Sequence, residues 1–77
     1  MLYKRSSFIK WLHEVKNCEI TPFGSGKGAG YLVRNGSCKC YIGGDTRDLI
    51  DYEEIFLHYN SLYLDGLPGN SELEIVE

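Results

Sequence analysis

The Asn35-Gly36 pair constrains this chain more than any other two residues. Both positions accept positive φ, the backbone state that a two-residue hairpin turn needs to match the twist of its strands. Tyr31-Leu32-Val33-Arg34 precedes the pair and Cys38-Lys39-Cys40-Tyr41-Ile42 follows it. Both flanks are built from residues that fit a pleated surface. The reading is a β-hairpin over residues 30–42, ended by Gly43-Gly44-Asp45.

The periodicity changes on either side. Phe8, Trp11, Leu12 and Val15 fall at i, i+3, i+4 and i+7, which predicts an amphipathic helix over residues 6–16. Ser6 or Ser7 caps it, and Asn17 stops it. Residues 18–23 read as a short first strand, with Pro22 placing it at an edge or ending it. Downstream, Asp51-x-x-Glu54 has the form of a capping box. Tyr52, Ile55, Phe56, Tyr59 and Tyr63 follow at helical spacing, so residues 49–63 form a second helix with those side chains as its core stripe. Residues 65–70 are a turn, and residues 72–77 alternate as an exposed strand or a frayed tail. The order is α-β-β-β-α. It predicts an α+β fold, a three-stranded antiparallel sheet with two helices packed on one face. The 77 residues make a single domain, with a core over 5–64 and a C-terminal tail over 65–77.

Composition excludes several classes. With 43% apolar and 13% aromatic residues, the chain is not composed like a disordered segment. No apolar run approaches the roughly 20 residues that span a bilayer, and the first ten residues lack the apolar stretch of a secretion signal. The expected compartment is the cytoplasm, with no membrane partner. An odd cysteine count, Cys18, Cys38 and Cys40, does not make a disulfide framework. Cys38-x-Cys40 is a weak zinc signal beside the usual C-x-x-C pairs, and small buried thiols are the reading.

Charge is segregated along the chain. Residues 1–40 carry seven Lys and Arg against two Glu, +5, and residues 41–77 carry one Arg against nine acids, −8, for the total of −3. A basic half suits phosphate; an acidic half suits a cationic surface or imitates a nucleic-acid backbone; in the fold the two also neutralise each other.

Gly24-Ser25-Gly26-Lys27-Gly28-Ala29-Gly30 joins the first strand to the hairpin. With little side-chain bulk, such a loop lets backbone N–H groups approach an anion. It resembles a nucleotide-binding P-loop but holds Thr21 where the first glycine belongs and Gly28 where Ser or Thr belongs. Gly24-x-Gly26-x-x-Ala29 matches the loose dinucleotide pattern, but a strand follows where a helix is needed. The acidic run Asp45, Asp48, Asp51, Glu53 and Glu54 lacks calcium-loop spacing and reads as capping and a solvated helix face. No cofactor or metal is implied.

Ser7-Phe8-Ile9-Lys10-Trp11-Leu12, then Cys18-Glu19-Ile20, then the glycine loop, hairpin and closing helix, resembles HicA-type toxins of bacterial toxin–antitoxin systems over about residues 5–63. The resemblance implies a double-stranded-RNA-binding-like fold and an mRNA-cleaving toxin silenced by an antitoxin. Those enzymes rely on a histidine just after the loop glycine, and Gly26-Lys27-Gly28-Ala29 has none. His13 and His58 do not match the motif and receive no catalytic role. Lysine at its ordinary pKa holds phosphate but is a poor base. The expected function is therefore noncatalytic recognition of RNA or a protein partner, antitoxin-like or from a defence system. Lys10, Gly26, Lys27, Gly28, Arg34 and Lys39 are the binding residues. One alternative is an inhibitor or nucleic-acid mimic from a phage or mobile element, docking through Asp48, Asp51, Glu53 and Glu54. The other is a ribonuclease toxin with a shifted site.

Overall fold

The computed structural model describes residues 1–26, 29–44, 46–69 and 71–76. The elements in chain order are β1 (Leu2–Lys4), α1 (Arg5–Glu14), β2 (Glu19–Phe23), β3 (Gly30–Asn35), β4 (Cys38–Ile42), β5 (Leu49–Asp51) and α2 (Tyr52–Ser61). The fold is α+β. β2, β3 and β4 form an antiparallel sheet in that order, and both helices pack on its inner face.

The hairpin turns one residue later than Asn35-Gly36 predicts: its two-residue loop is Gly36-Ser37, and Asn35, without positive φ, is the last residue of β3. Gly36 adopts φ +63, and Asn35 pairs with Cys38, Arg34 with Lys39 and Val33 with Cys40. Alternation then sorts the side chains. Ile20, Val33 and Cys40 form one inward row, and Pro22, Tyr31 and Ile42 the next. Val33 and Ile42 are fully buried with Phe8, Leu12, Ile50, Ile55 and Leu62.

Two strands were not anticipated. β1 and β5 pair antiparallel, Tyr3 opposite Ile50, so residues 49–51 are strand rather than the first turn of α2. The C-terminal segment lies along the other edge of β1: Lys4 N–H donates to Glu74 O and Val76 N–H to Leu2 O, each at 2.9 Å. Leu73 is buried, and Trp11 Nε1–H donates to the Glu72 carboxylate at 3.1 Å. The segment is thus docked rather than frayed, and the core extends past 5–64 to include Tyr3 and Leu73.

α1 begins at Arg5, one residue early, and neither Ser6 nor Ser7 is its N-cap. The N-cap is Lys4, without a side-chain cap bond. Asp48 replaces it from across the fold: its carboxylate accepts from Ser6 N–H at 2.9 Å and Ser6 Oγ–H at 2.6 Å. Asn17, at φ +57, ends the turn after α1 as expected. Val15 lies beyond the helix and is exposed.

α2 carries the larger correction. Asp51 caps it, accepting from Glu54 N–H at 2.8 Å. Its inward row, however, is Ile55, His58 and Leu62, at i, i+3 and i+7. Tyr52, Phe56 and Tyr63 point to solvent. The anticipated stripe contained one correct position, Ile55. A histidine in the buried row hid the true phase.

Candidate nucleic-acid interface

The outer face of the β2–β3–β4 sheet follows from the same register. One row is Glu19, Arg34 and Lys39; the next is Thr21, Leu32 and Tyr41; the last is Phe23 and Gly30. Arg34 and Lys39 stand directly opposite each other, an arrangement that is unfavourable for two cations without a counterion. Among the described residues no carboxylate forms an ion pair with either, although Glu19 stands directly across from Arg34 on β2. With Gly36, Ser37 and Cys38 they line a shallow depression of about 160 Å³ at the hairpin end.

The aromatic end of this face is built around a glycine. A Cβ on Gly30 would overlap the Ile42 carbonyl oxygen and come within 2.9 Å of Gly43 Cα and Tyr41 Oη. Only glycine lets β3 approach β4 so closely, and the Tyr41 ring covers the gap. Phe23 meets Tyr41 edge to face, with centroids 5.5 Å apart and planes at 74°. Both rings stay about half exposed.

The other anticipated binding residues disperse. Lys10 sits on the α1 side of the sheet, in a cleft of about 320 Å³ with Ile9, His13, Ile20 and Tyr31, away from Arg34 and Lys39. Gly26 adopts φ +72 in open space. Lys27 and Gly28 lie outside the described residues. Several remaining cations are engaged by the acidic half: Lys4 with Glu74 at 3.1 Å, Arg5 with Glu54 at 3.4 Å, and Lys16 with Asp65 and over the Trp11 ring at 5.5 Å.

The acidic set separates too. Asp48 holds the start of α1, Asp51 caps α2 and Glu54 faces the buried Arg5. Glu53 alone of the four is exposed without such a task.

The titratable groups elsewhere are structural. His13 shares a hydrogen bond of 3.2 Å through Nδ1 with Cys18 O. His58 stacks on Phe8 at 6.4 Å, and burial lowers its pKa, with Glu54 opposing and Arg5 reinforcing the shift. Burial pushes the Cys40 thiol up to about 11, helped by Cys18, and raises Cys18 against the pull of Lys16. Both are protonated thiols near neutral pH. Among the described residues no three His, Cys, Asp or Glu side chains converge to hold a metal ion.

Phe23 and Tyr41 are not among the binding residues expected from the sequence. Arg34 stands opposite Lys39 because the two-residue loop is Gly36-Ser37; a loop at Asn35-Gly36 would have placed Arg34 opposite Ser37, so this pairing was not legible in the turn residues. Comparison with known proteins adds no relative: no family model matches the chain, and no curated protein or solved structure matches it at a significant level.

Proposed function

We propose that this chain is an RNA-binding domain of HicA-like design that holds single-stranded RNA across the outer face of its three-stranded sheet. Arg34 and Lys39 take a phosphate at the hairpin end, and Tyr41 and Phe23 take bases beyond it. Two residues along a strand span roughly 7 Å, about one nucleotide of extended backbone, so cation row and ring row engage neighbouring units. Sheets with exposed rings beside cations are a recurrent single-strand platform, because stacking tolerates any base while charge tracks the backbone.

The observation that carries the reading is the cross-strand Arg34–Lys39 pair, without an ion pair among the described residues, on the same face as a half-exposed aromatic pair. An anion removes the repulsion that the free fold retains. The order α1-β2-β3-β4-α2 within the fold, to which β1 and β5 are added, supports the HicA-like part.

The test is fluorescence anisotropy with a labelled 12-nucleotide RNA at 50–200 mM salt. Changing Arg34 and Lys39 to Ala removes the phosphate they share, so the slope of log K against log salt becomes shallower by about 0.7 for a single strand. Tyr41→Ala costs about 1–3 kcal/mol of binding at any salt. An unchanged slope, or no binding by the parent chain, rejects the proposal.

A further inference from the structure

The outward side of α2 is a second surface of different chemistry. Tyr52, Phe56 and Tyr59 stack in succession along it, with centroids 6.5 and 6.4 Å apart and planes within 23° and 19°. Tyr52 is 46% exposed, Phe56 43% and Leu57 64%. Single exposed apolar residues are ordinary, but a contiguous aromatic patch on one helix marks a contact surface. The ladder is also fixed in place, since Tyr59 Oη accepts from Gly66 N–H at 2.9 Å. Ordered rings lose little further freedom on binding.

Charge identifies the occupant. After Arg47 the chain has no lysine or arginine, while Asp48, Asp51, Glu53, Glu54, Asp65, Glu72, Glu74 and Glu77 follow. Glu53 lies beside the ladder, exposed. Glu54, Asp65 and Glu74 face Arg5, Lys16 and Lys4, so Glu53 is the exposed charge that a partner on this helix meets, and it disfavours RNA, anionic lipid and an identical acidic face. It favours a partner that brings apolar side chains flanked by cations.

We infer that the Tyr52–Phe56–Leu57 face of α2 docks a basic amphipathic segment of a second protein, with apolar side chains against the ladder and Lys or Arg beside Glu53. The acidic docking anticipated from Asp48, Asp51 and Glu54 is replaced, because those side chains are committed within the fold. The inference does not depend on RNA binding, which uses another face.

The experiment titrates the isotope-labelled full chain with an 18-residue synthetic amphipathic helix of Leu and Lys, and with its Leu/Glu counterpart, by NMR. The expected result is saturable shifts at residues 52–63 with the Lys peptide only. Phe56→Ser with Leu57→Ser, and separately Glu53→Lys, each weaken it at least tenfold. These positions are solvent-exposed, and circular dichroism checks the fold. Absent binding, equal binding of the Glu peptide, shifts centred elsewhere, or variants without effect would overturn the inference. So would sedimentation showing a dimer closed over α2.

Discussion

Asp48 separates two accounts of the acidic half, and substitution there decides between them. If the residue serves docking, its loss leaves the free fold intact. The structure gives it three structural tasks. Its carboxylate accepts from Ser6 N–H at 2.9 Å and Ser6 Oγ–H at 2.6 Å, its charge sits at the start of α1, and its backbone adopts φ +57. Losing a capping carboxylate costs about 0.5–2 kcal/mol, and losing a negative charge at an exposed helix N-terminus about 0.3–1 kcal/mol. Alanine in the left-handed region adds about 1 kcal/mol. Asp48→Ala should therefore cost about 2–3 kcal/mol, or roughly 10–20 °C in a domain of this size. Asp48→Gly relieves the backbone and should cost about 1 kcal/mol less than alanine. Asp48→Asn keeps one acceptor and tolerates positive φ, so it should be the mildest. Urea unfolding followed by Trp11 fluorescence, with thermal melts, measures the series. An alanine variant within about half a kcal/mol of the parent, or alanine and glycine variants of equal stability, refutes the assignment.

Five further outcomes follow from the same contacts. His58 has its pKa lowered in the fold, so the unfolded chain binds the proton more tightly. Its stabilising contribution is complete above the ordinary value of 6.5 and is lost as pH falls through the lower folded value. Melting temperature should drop between pH 7.5 and 5.5, and His58→Phe should flatten that drop. Glu72, lowered by Gly69 N–H and the Trp11 indole, should add a separate loss below its ordinary 4.5; Glu72→Gln removes it in acid melts. Glu54→Gln strips the counterion from the buried Arg5 and should cost about 1–3 kcal/mol in urea, while Arg5→Met should recover part of that loss in the double variant. Gly30→Ala forces β3 from β4 and should cost about 1–3 kcal/mol or more, with loss of the Phe23–Tyr41 contact seen by NMR. RNA bound by the parent should remain uncut on a denaturing gel, because His13 is tied to Cys18 O on the α1 side and His58 is packed on Phe8.

Local rules carried the parts of this fold whose information is local. The Asp51 cap and the Phe8–Trp11–Leu12 stripe were legible, because each depends on residues within a few turns of one helix, and the hairpin was legible with its loop one residue out of place, at Gly36-Ser37 rather than Asn35-Gly36. β1 and β5 were not. Three-residue strands are too short to show alternation, and Tyr3 and Ile50 find each other only after the chain has folded. The replacement of Ser6 or Ser7 by Asp48 as anchor of α1 is likewise a long-range event. α2 failed for another reason. Ile55 with Phe56 and Tyr59, and Ile55 with His58 and Leu62, are both helical series, and hydrophobicity alone favours the aromatic one. Packing chose the other, since His58 offers a flat ring to Phe8 while Ile55 and Leu62 fill the space under the sheet.

The same long-range pairing explains how a chain of net charge −3 offers a cationic face. Lys4, Arg5 and Lys16 come from the basic half, and Glu74, Glu54 and Asp65, which face them, come from the acidic half. Much of the opposition between the halves is spent inside the molecule. The hairpin is excluded from that exchange by geometry: Arg34 and Lys39 point away from both helices, where α2 and the C-terminal segment do not reach. α2 is excluded in the opposite sense, acidic and aromatic on a side with no lysine or arginine of its own element. Net charge therefore describes neither surface. Salt should act on them separately: a variant lacking Arg34 and Lys39 loses salt sensitivity toward RNA while keeping it toward a cationic peptide, and Glu53→Lys does the reverse. A substitution that altered both responses together would mean that the two faces are one site.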